Sequence, residues 1–413
     1  MRETWQRAAW RWHFYAGMMI GPILFVVAAT GGSYVFREEI ERHFSADVSY
    51  VEPGSRRVSY ETMLTAATKQ LGGERRPARI EISADPERSV GVLFYGDGDD
   101  SFHRIHVDPY RGEVLGESST IEYFNFALQI HRGIFAGLPG RMIAELSASW
   151  TVILSVTGVF LWWPCRWQRG AGVIWPRWWL APYVFWRDCH AMCGAAVMPI
   201  AVTIAGTGLL YTFVWGQAFN RAAQYTNSYT LFVDNPKSSP TSASRRIALD
   251  EIVGRVRAEY PAANFGIDLP RATEESYVVG ITERHGPNTT AILVFDAYSG
   301  NELARRRHAD APPLQRWNNW AYRLHTGSAL GMVSKIAWSC TCLVLMALPV
   351  TGAWMWWQRR PRGSLGLPRS RDGKLPRGAI LLIAAFGLVL PMFGLSVLAI
   401  ALVRGFARLI RGR

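Results

Sequence analysis

The sequence predicts a mainly α-helical membrane protein, a helical transmembrane bundle that carries two small α+β domains on one of its sides. Three observations carry that prediction: apolar runs long enough to cross a bilayer recur along the chain, basic residues crowd the short segments between some of them, and the first half of the chain is repeated in the second. The composition agrees, with 49% hydrophobic residues and 18 Trp against only 19% charged residues, as in membrane proteins rather than soluble multidomain chains.

Five runs, Trp12 to Phe36, Arg141 to Trp163, His190 to Trp215, Met332 to Trp357 and Ala379 to Val403, each have the ~20 residues that cross a hydrocarbon core about 30 Å thick. The first is too long for a cleavable signal and no small-residue cleavage site follows it, so a retained helix is expected. The formal charge of +13 is placed for a membrane rather than for nucleic acid. It gathers at Arg2, Arg7 and Arg11, at Arg166, Arg169, Arg177 and Arg187, and at Arg359, Arg360, Arg362, Arg369, Arg371, Lys374 and Arg377. By the positive-inside rule these three segments are cytoplasmic, an even number of crossings apart, and the segments between helices 1 and 2 and between 3 and 4 lie outside. No soluble basic face interleaved with aromatics accompanies the charge, so no nucleic-acid partner is expected, and membrane lipid is.

In chain order the expectation is a first transmembrane helix over 1–36, an outer domain over 37–121, a second helix over 122–163, a cytoplasmic loop over 164–187 and a third helix over 188–215. A second outer domain over 216–316, a fourth helix over 317–357, a loop over 358–378 and a fifth helix with a basic tail over 379–413 complete it. Each outer domain opens with a helix-like stretch, "SYETMLTAATKQLG" from Ser59 and "LDEIVGRVRAEYP" from Leu249, started by Ser59 with Thr62 and by Asp250 with the acidic residue after it. Alternating runs follow, "VGVLFY", "FHRIHV", "YVVGIT" and "AILVFD", which predict half-buried strands. "SSPTSAS", 238 to 244, is expected to be a flexible joint. The fifth helix has the length of one crossing, although crossing would put Arg404, Arg408, Arg411 and Arg413 outside; a turn near Pro391 and Gly394 is the alternative.

The repeat is gapless within the helices. The first helix lands on the third, pairing His13 with His190, Gly17 with Gly194, Pro22 with Pro199, Thr30-Gly31 with Thr207-Gly208 and Tyr34 with Tyr211. The second lands on the fourth, pairing His131 with His325, Gly133 with Gly327, Gly137 with Gly331, Thr157-Gly158 with Thr351-Gly352, and Trp162-Trp163 with Trp356-Trp357. "VDPYRGEVLG" in the first outer domain matches "FDAYSGNELA" in the second. The chain is therefore helix, outer domain, helix, twice over, with an unpaired fifth helix.

With HxxxG early in one helix, a His-Arg-Gly or His-Thr-Gly turn before the next and a TG(V/A)xxWW exit, the chain from about residue 5 to 360 resembles the PepSY-associated transmembrane family. Within it the chain is similar to bacterial inner-membrane reductases that act on iron-siderophores. That resemblance implies PepSY-like domains in the periplasm, a cytoplasmic or quinol electron donor, and a ferric siderophore as acceptor, reduced to release Fe(II).

Four of the nine histidines sit at the duplicated membrane positions, and depth sorts them into an inner pair, His13 with His190, and an outer pair, His131 with His325. Two imidazoles from two helices at one depth suit the axial positions of a b-type haem, so two haem b groups are expected, with these four side chains as iron ligands. Gly17, Gly194, Gly133 and Gly327, with Gly137 and Gly331, are expected to make room for the macrocycles, and Trp12, Phe14, Phe126 and Trp320 to line their edges. Zinc has no third ligand near either pair; a proton relay stays open. Arg132 and Arg323 are candidates to meet an anionic chelate, a haem propionate or a lipid phosphate. His103 and His106, three apart on one strand, face opposite ways and with His43, His285 and His308 are expected to be structural. The Trp pairs read as interfacial belts. Cys165, Cys189, Cys193, Cys340 and Cys342 read as thiols rather than disulfides, and no nucleotide-binding motif is present. Two haems without a nucleotide domain make a transmembrane wire; the alternatives are a membrane-anchored PepSY module binding a peptide or peptidase, and a haem or siderophore transporter.

Overall fold

The computed structural model describes residues 2–73, 75–96, 102–118, 120–163, 170–226, 228, 235–240, 245–282, 289–368 and 377–411. Of the residues named above, Cys165, Arg166, Arg169, His285, Arg369, Arg371, Lys374 and Arg413 lie outside the described residues, as do 241–244 of the expected joint. In chain order the elements are α1 (Arg2–Val35), α2 (Arg37–Phe44), α3 (Ala46–Ser49), α4 (Tyr60–Gln70), β1 (Pro77–Ile82), β2 (Val90–Tyr95), β3 (Phe102–Val107), β4 (Val114–Glu117), α5 (Ile121–Gly133), α6 (Gly137–Trp162), α7 (Pro182–Gly208) and α8 (Val214–Tyr225). They continue with α9 (Leu249–Glu259), β5 (Asn264–Asp268), β6 (Tyr277–Thr282), β7 (Thr289–Phe295), β8 (Glu302–Arg307), α10 (Pro313–Thr326), α11 (Met332–Arg359), α12 (Arg377–Val389) and α13 (Pro391–Arg411). The chain divides into two units, one of Met1–Val35, Ala127–Ala222 and Ala321–Arg413, the other of Phe36–Phe126 and Ala223–Trp320.

In the first unit four helices are long and apolar enough to cross a membrane: Trp5–Val35, Gly137–Trp162, Pro182–Tyr211 and Met332–Arg359. α1 and α7 each adjoin both α6 and α11, so α1 and α7 stand at opposite corners of a four-helix ring. Small residues let the corners approach. Gly21 meets the ring of Pro349, Gly32 meets Cys342, and Ala28, Ala201 and Leu345 form an apolar plug between α1, α7 and α11. α5 precedes α6 through a break in which Ile134 and Phe135 take positive φ, so His131 stands on a separate short helix. His325 likewise stands on α10, ahead of α11.

The expected fifth span is not one helix. It breaks at Leu390 into α12 and α13, and the two halves fold back on each other so closely that a Cβ on Gly394 would lie 2.7 Å from the Gly387 carbonyl oxygen. The cause is local: Pro391 has no N–H to continue the ladder and is tolerated as the first residue of a new helix, while two glycines leave room for the turn. Gly378, at the start of α12, lies against Trp5 of α1. The apex residues Leu390 and Phe393 pack with Ala16, Ile20 and Trp150, Trp215 Nε1 donates to Val389 O at 2.7 Å and Trp150 Nε1 to Ser396 Oγ at 3.1 Å. α13 therefore returns toward the side on which α12 began, which resolves the clash between a full crossing and the basic tail.

The second unit corrects the expectation of two separate outer domains. Their strands join in one eight-stranded antiparallel sheet of order β4-β3-β2-β1-β5-β6-β7-β8, sealed where β1 pairs with β5, Ile80 opposite Ile267. One core serves both halves, with Met63 of α4, Ile252 of α9 and Ile80, Val92, Ile267, Val279 and Leu293 of the sheet all but fully buried. The helix starts are crossed between the halves. Ser59 caps α4 through Thr62 N, but Asp250, expected to cap its own helix, accepts from Tyr60 N at 3.1 and 3.2 Å at the start of α4, and Leu249 N donates to Glu61 at 3.4 Å in return. The matched hairpins are Asx turns: Tyr110 N and Tyr298 N donate to Asp108 and Asp296 at 2.7 and 2.9 Å, and each tyrosine hydroxyl donates to a loop carbonyl, Pro86 or Thr273, at 2.9 Å. The start of the expected flexible joint is tied down as well, since buried Ser238 accepts from Ala297 N at 2.8 Å and Ser239 N donates to Asp296 at 2.8 Å.

Candidate cofactor site

His13 and His190 project from the diagonal helices α1 and α7, with ring centres 6.4 Å apart and planes at 82°. His131 and His325, from α5 and α10, stand 6.0 Å apart at 50°. An imidazole nitrogen ligates a metal from about 2 Å and its ring centre lies about 1 Å beyond, so two rings on opposite faces of one ion have centres about 6 Å apart. Both pairs meet that spacing. The two levels are well separated: His131 meets α1 at Val27, fourteen residues after His13, and His325 meets α7 at Ile204, fourteen after His190, about 21 Å along a helix axis. Ala28, next to Val27, packs with Ala201 and Leu345 close to the outer level.

The Thr-Gly pairs explain how each ring is held. His13 Nδ1 lies 3.0 Å from Thr157 Oγ1, and His190 Nδ1 lies 2.9 Å from Thr351 Oγ1. Both hydroxyls already donate to their own helix, Thr157 to Ile153 O at 2.7 Å and Thr351 to Ala347 O at 2.9 Å, so each oxygen accepts from Nδ1–H. The carbonyl three residues before each threonine, Leu154 or Leu348, also accepts. At the outer pair the same carbonyl leads: His131 Nδ1 donates to Val27 O at 3.0 Å, with Thr30 Oγ1 at 3.4 Å, and His325 Nδ1 donates to Ile204 O at 2.9 Å. An Nδ1 committed as donor leaves Nε2 with its lone pair, the state in which imidazole ligates a metal.

The glycine of each pair admits the ring edge. A Cβ would lie 2.7 Å from His131 Cε1 at Gly31, 2.8 Å from His325 Cε1 at Gly208, 3.2 Å from His13 Cε1 at Gly158 and 3.6 Å from His190 Cε1 at Gly352. Sequence reasoning had these pairs in hand as repeats and gave them no task. The signal was that the duplicated Thr-Gly pairs, Thr30-Gly31 with Thr207-Gly208 and Thr157-Gly158 with Thr351-Gly352, number four, one for each histidine.

The glycines assigned from the sequence fare unequally. Gly17 has open space where its Cβ would be, and Gly194 meets only Leu348 at ordinary distance, so both leave room beside the inner rings. Gly133 and Gly327 do other work: a Cβ on Gly140 would fall 1.7 Å from the Gly133 carbonyl oxygen, and Gly327, at φ +74°, packs on the Trp338 indole. They shape the turns into α6 and α11, as do Gly137 and Gly331 at φ +54° and +60°. Trp12 stacks on Trp150 and Phe14 on Trp10, Phe126 and Trp320 are exposed, and Tyr211, which was not assigned from the sequence, lies 5.9 Å from the His325 ring.

The remaining histidines take local roles. His103 Nδ1 meets Glu117 at 3.0 Å, His106 is buried on Ser89 at 2.9 Å, and His308 pairs with Asn319. Burial, with Arg104 and Arg88 adding repulsion, pushes His106 down to about 4. Sequence reasoning also passed over two buried carboxylates: Glu145, which accepts from Val214 N and Trp215 N at 2.7 and 2.9 Å at the start of α8, and Asp188, clamped by Arg177 at 2.7 Å and Arg187 at 2.9 Å two residues before His190. Cys342 is buried while Cys193 and Cys340 are exposed. Among the described residues no three His, Cys, Asp or Glu side chains converge as a metal cluster. Two imidazoles without a third ligand suit an ion whose other positions are filled by a macrocycle. In comparison with known proteins, the family described as the PepSY-associated TM region matches residues 10–359, and no curated protein matches the chain.

Proposed function

Since the chain belongs to the PepSY-associated TM family, we propose that it is a di-haem b electron-transfer protein of a bacterial inner membrane, reducing ferric siderophores in the periplasm with electrons from a cytoplasmic or quinol donor. The observation that carries this reading is the pair of imidazole pairs, with ring centres 6.4 and 6.0 Å apart and Nδ1 of every ring already committed as a donor. His13 and His190 would hold one haem, and His131 and His325 the other; when bound, a haem supplies a one-electron Fe(III)/Fe(II) couple.

The chain's own residues do the rest. Thr157, Thr351 and the carbonyls of Val27 and Ile204 fix the tautomer and plane of each ring, and a donated Nδ1–H raises the basicity of Nε2. Reduction of a chelated Fe(III) consumes one electron, and the product Fe(II) is held less tightly by the same ligand, which frees it.

The test is a spectrum of the purified full-length chain in detergent, with a pyridine-haemochrome assay. Two haems per chain are expected, and mixing dithionite-reduced protein with a ferric siderophore should yield Fe(II) in a ferrous-chelator assay. A colourless chain points instead to a membrane-anchored module binding a peptide or peptidase, and substoichiometric, exchangeable haem to a transporter. Reduced protein that ignores ferric chelates but reacts rapidly with quinones would keep the wire and remove the siderophore.

A further inference from the structure

From His190 toward the start of α7, α7 and α11 meet in a seam of three rungs. His190 Nδ1 donates to Thr351 Oγ1 at 2.9 Å. One turn on, Trp186 and Trp354 lie edge to face with ring centres 6.2 Å apart. At the end of the seam Arg359 donates to the Tyr183 hydroxyl at 3.1 Å, with its guanidinium carbon 4.9 Å from the centre of that ring. Tyr183, Trp186 and His190, spaced by three and four residues, share one face of α7. Arg359 differs from its basic neighbours. Arg177 and Arg187 both hold Asp188, and Arg360 rides on the Trp357 ring. Arg359 has no carboxylate partner among the described residues, and the aromatic ring beside it leaves its charge intact. Tyr183 accepts from Arg359 and still has its own O–H to donate.

The duplication stops short of this rung. Where the second half has Tyr183, Trp186, Trp354 and Arg359, the same offsets put Gln6, Ala9, Phe160 and Cys165 in the first, so the cation and its hydroxyl stand on one side of an otherwise two-fold plan. A haem b carries two propionate carboxylates on one edge, and burying them unpaired among apolar side chains is costly. Along α1, away from this rung, buried Ala16 and Ile20 follow His13. Tyr183 lies seven residues before His190, about 10 Å along the axis of α7, the order of a porphyrin's half-width plus one propionate arm. A guanidinium fork beside a hydroxyl donor suits a carboxylate. We propose that Arg359 and Tyr183 hold a propionate of the haem at His13 and His190, and so fix which edge of that haem faces the start of α7. This assignment rests on the di-haem reading of the inner pair.

The measurement is titration of haem-free full-length protein with haem b and, separately, with haem b dimethyl ester, which offers the same iron but no carboxylate. His325→Ala is present throughout, so that the inner pair alone is read. Arg359→Gln should weaken haem b binding by about tenfold, the loss of one charge-assisted pair, and leave the ester unchanged. Tyr183→Phe, which keeps the ring beside the guanidinium, should weaken haem b by less, and Arg360→Gln, the same charge change one residue away, should be silent. The midpoint potential of the inner haem should also fall in Arg359→Gln, because an unanswered carboxylate favours Fe(III). Haem b affinity unchanged by Arg359→Gln would overturn the assignment and leave the di-haem reading standing. Equal losses for haem b and its ester, or for Arg359→Gln and Arg360→Gln, would overturn it as well, pointing to helix packing or to lipid phosphate. A chain that binds neither haem b nor its ester with all four histidines in place would remove the di-haem reading and this assignment together.

Discussion

Replacing Gly31 with alanine sets a methyl carbon 2.7 Å from Cε1 and 3.1 Å from Nδ1 of His131. Non-bonded carbons prefer about 3.5–4.0 Å, so the ring must retreat by about 1 Å. The retreat stretches the 3.0 Å bond from Nδ1 to Val27 O out of hydrogen-bonding range, a loss of about 1 kcal/mol, and it is roughly five times the ±0.2 Å within which ligand distances are held at a metal site. Gly208→Ala does the same to His325 at 2.8 Å. Gly352→Ala, with 3.6 Å to His190, is an ordinary contact and should be silent, and Gly158→Ala at 3.2 Å falls between. Haem content by pyridine haemochrome should drop from two toward one in the Gly31 and Gly208 variants and stay at two in the Gly352 variant. Helix propensity points the opposite way, since alanine in place of a mid-helix glycine stabilises by roughly 0.5–1 kcal/mol, which largely offsets the lost bond, so the stability of the haem-free fold should change by less than about 1 kcal/mol. Equal haem content in the Gly31 and Gly352 variants would refute the cradle.

Three further outcomes are expected. Thr351→Val keeps the shape beside His190 but removes the Oγ1 acceptor at 2.9 Å; haem affinity at the inner pair should fall about tenfold, the low end for lost supporting bonds because the Leu348 carbonyl remains, and titration of the haem-free protein reads this directly. His106 lies near 4 in the fold against 6.5 unfolded, so between those values the unfolded chain binds the extra proton. Stability of the second unit should therefore be full above pH 6.5 and fall by up to about 3 kcal/mol as pH drops toward 4, and His106→Gln should flatten that part of a melting-temperature profile. Because α13 folds back along α12, a topology reporter after the C terminus should be active on the same side of the membrane as one at the N terminus; activity on opposite sides would mean that the hairpin opens into a full crossing.

The four-helix bundle, its duplicated plan and the four histidines were legible in the sequence because they rest on short-range periodicity and spacing: four of the five apolar runs of one bilayer's length are single helices, and a gapless repeat carries His13 onto His190 from sequence alone. Ser59 capping and all four quoted strands were readable for the same local reason. What lay beyond the sequence depends on contacts between segments far apart in the chain. β1 pairs with β5 because Ile80 and Ile267 both need a buried edge, which turns two expected domains into one sheet, and Asp250 caps the other half's helix because that pairing brings Tyr60 to it. Pro391 and Gly394 announced a possible bend, but only the packing of Leu390 and Phe393 on Trp150 makes folding back better than crossing. The histidines were visible as two pairs at two depths. That Thr-Gly on a neighbouring helix holds each ring by its Nδ1 and clears its edge was decided by tertiary structure alone, since a hydrogen bond and a missing Cβ act across space and leave no spacing in the chain to read.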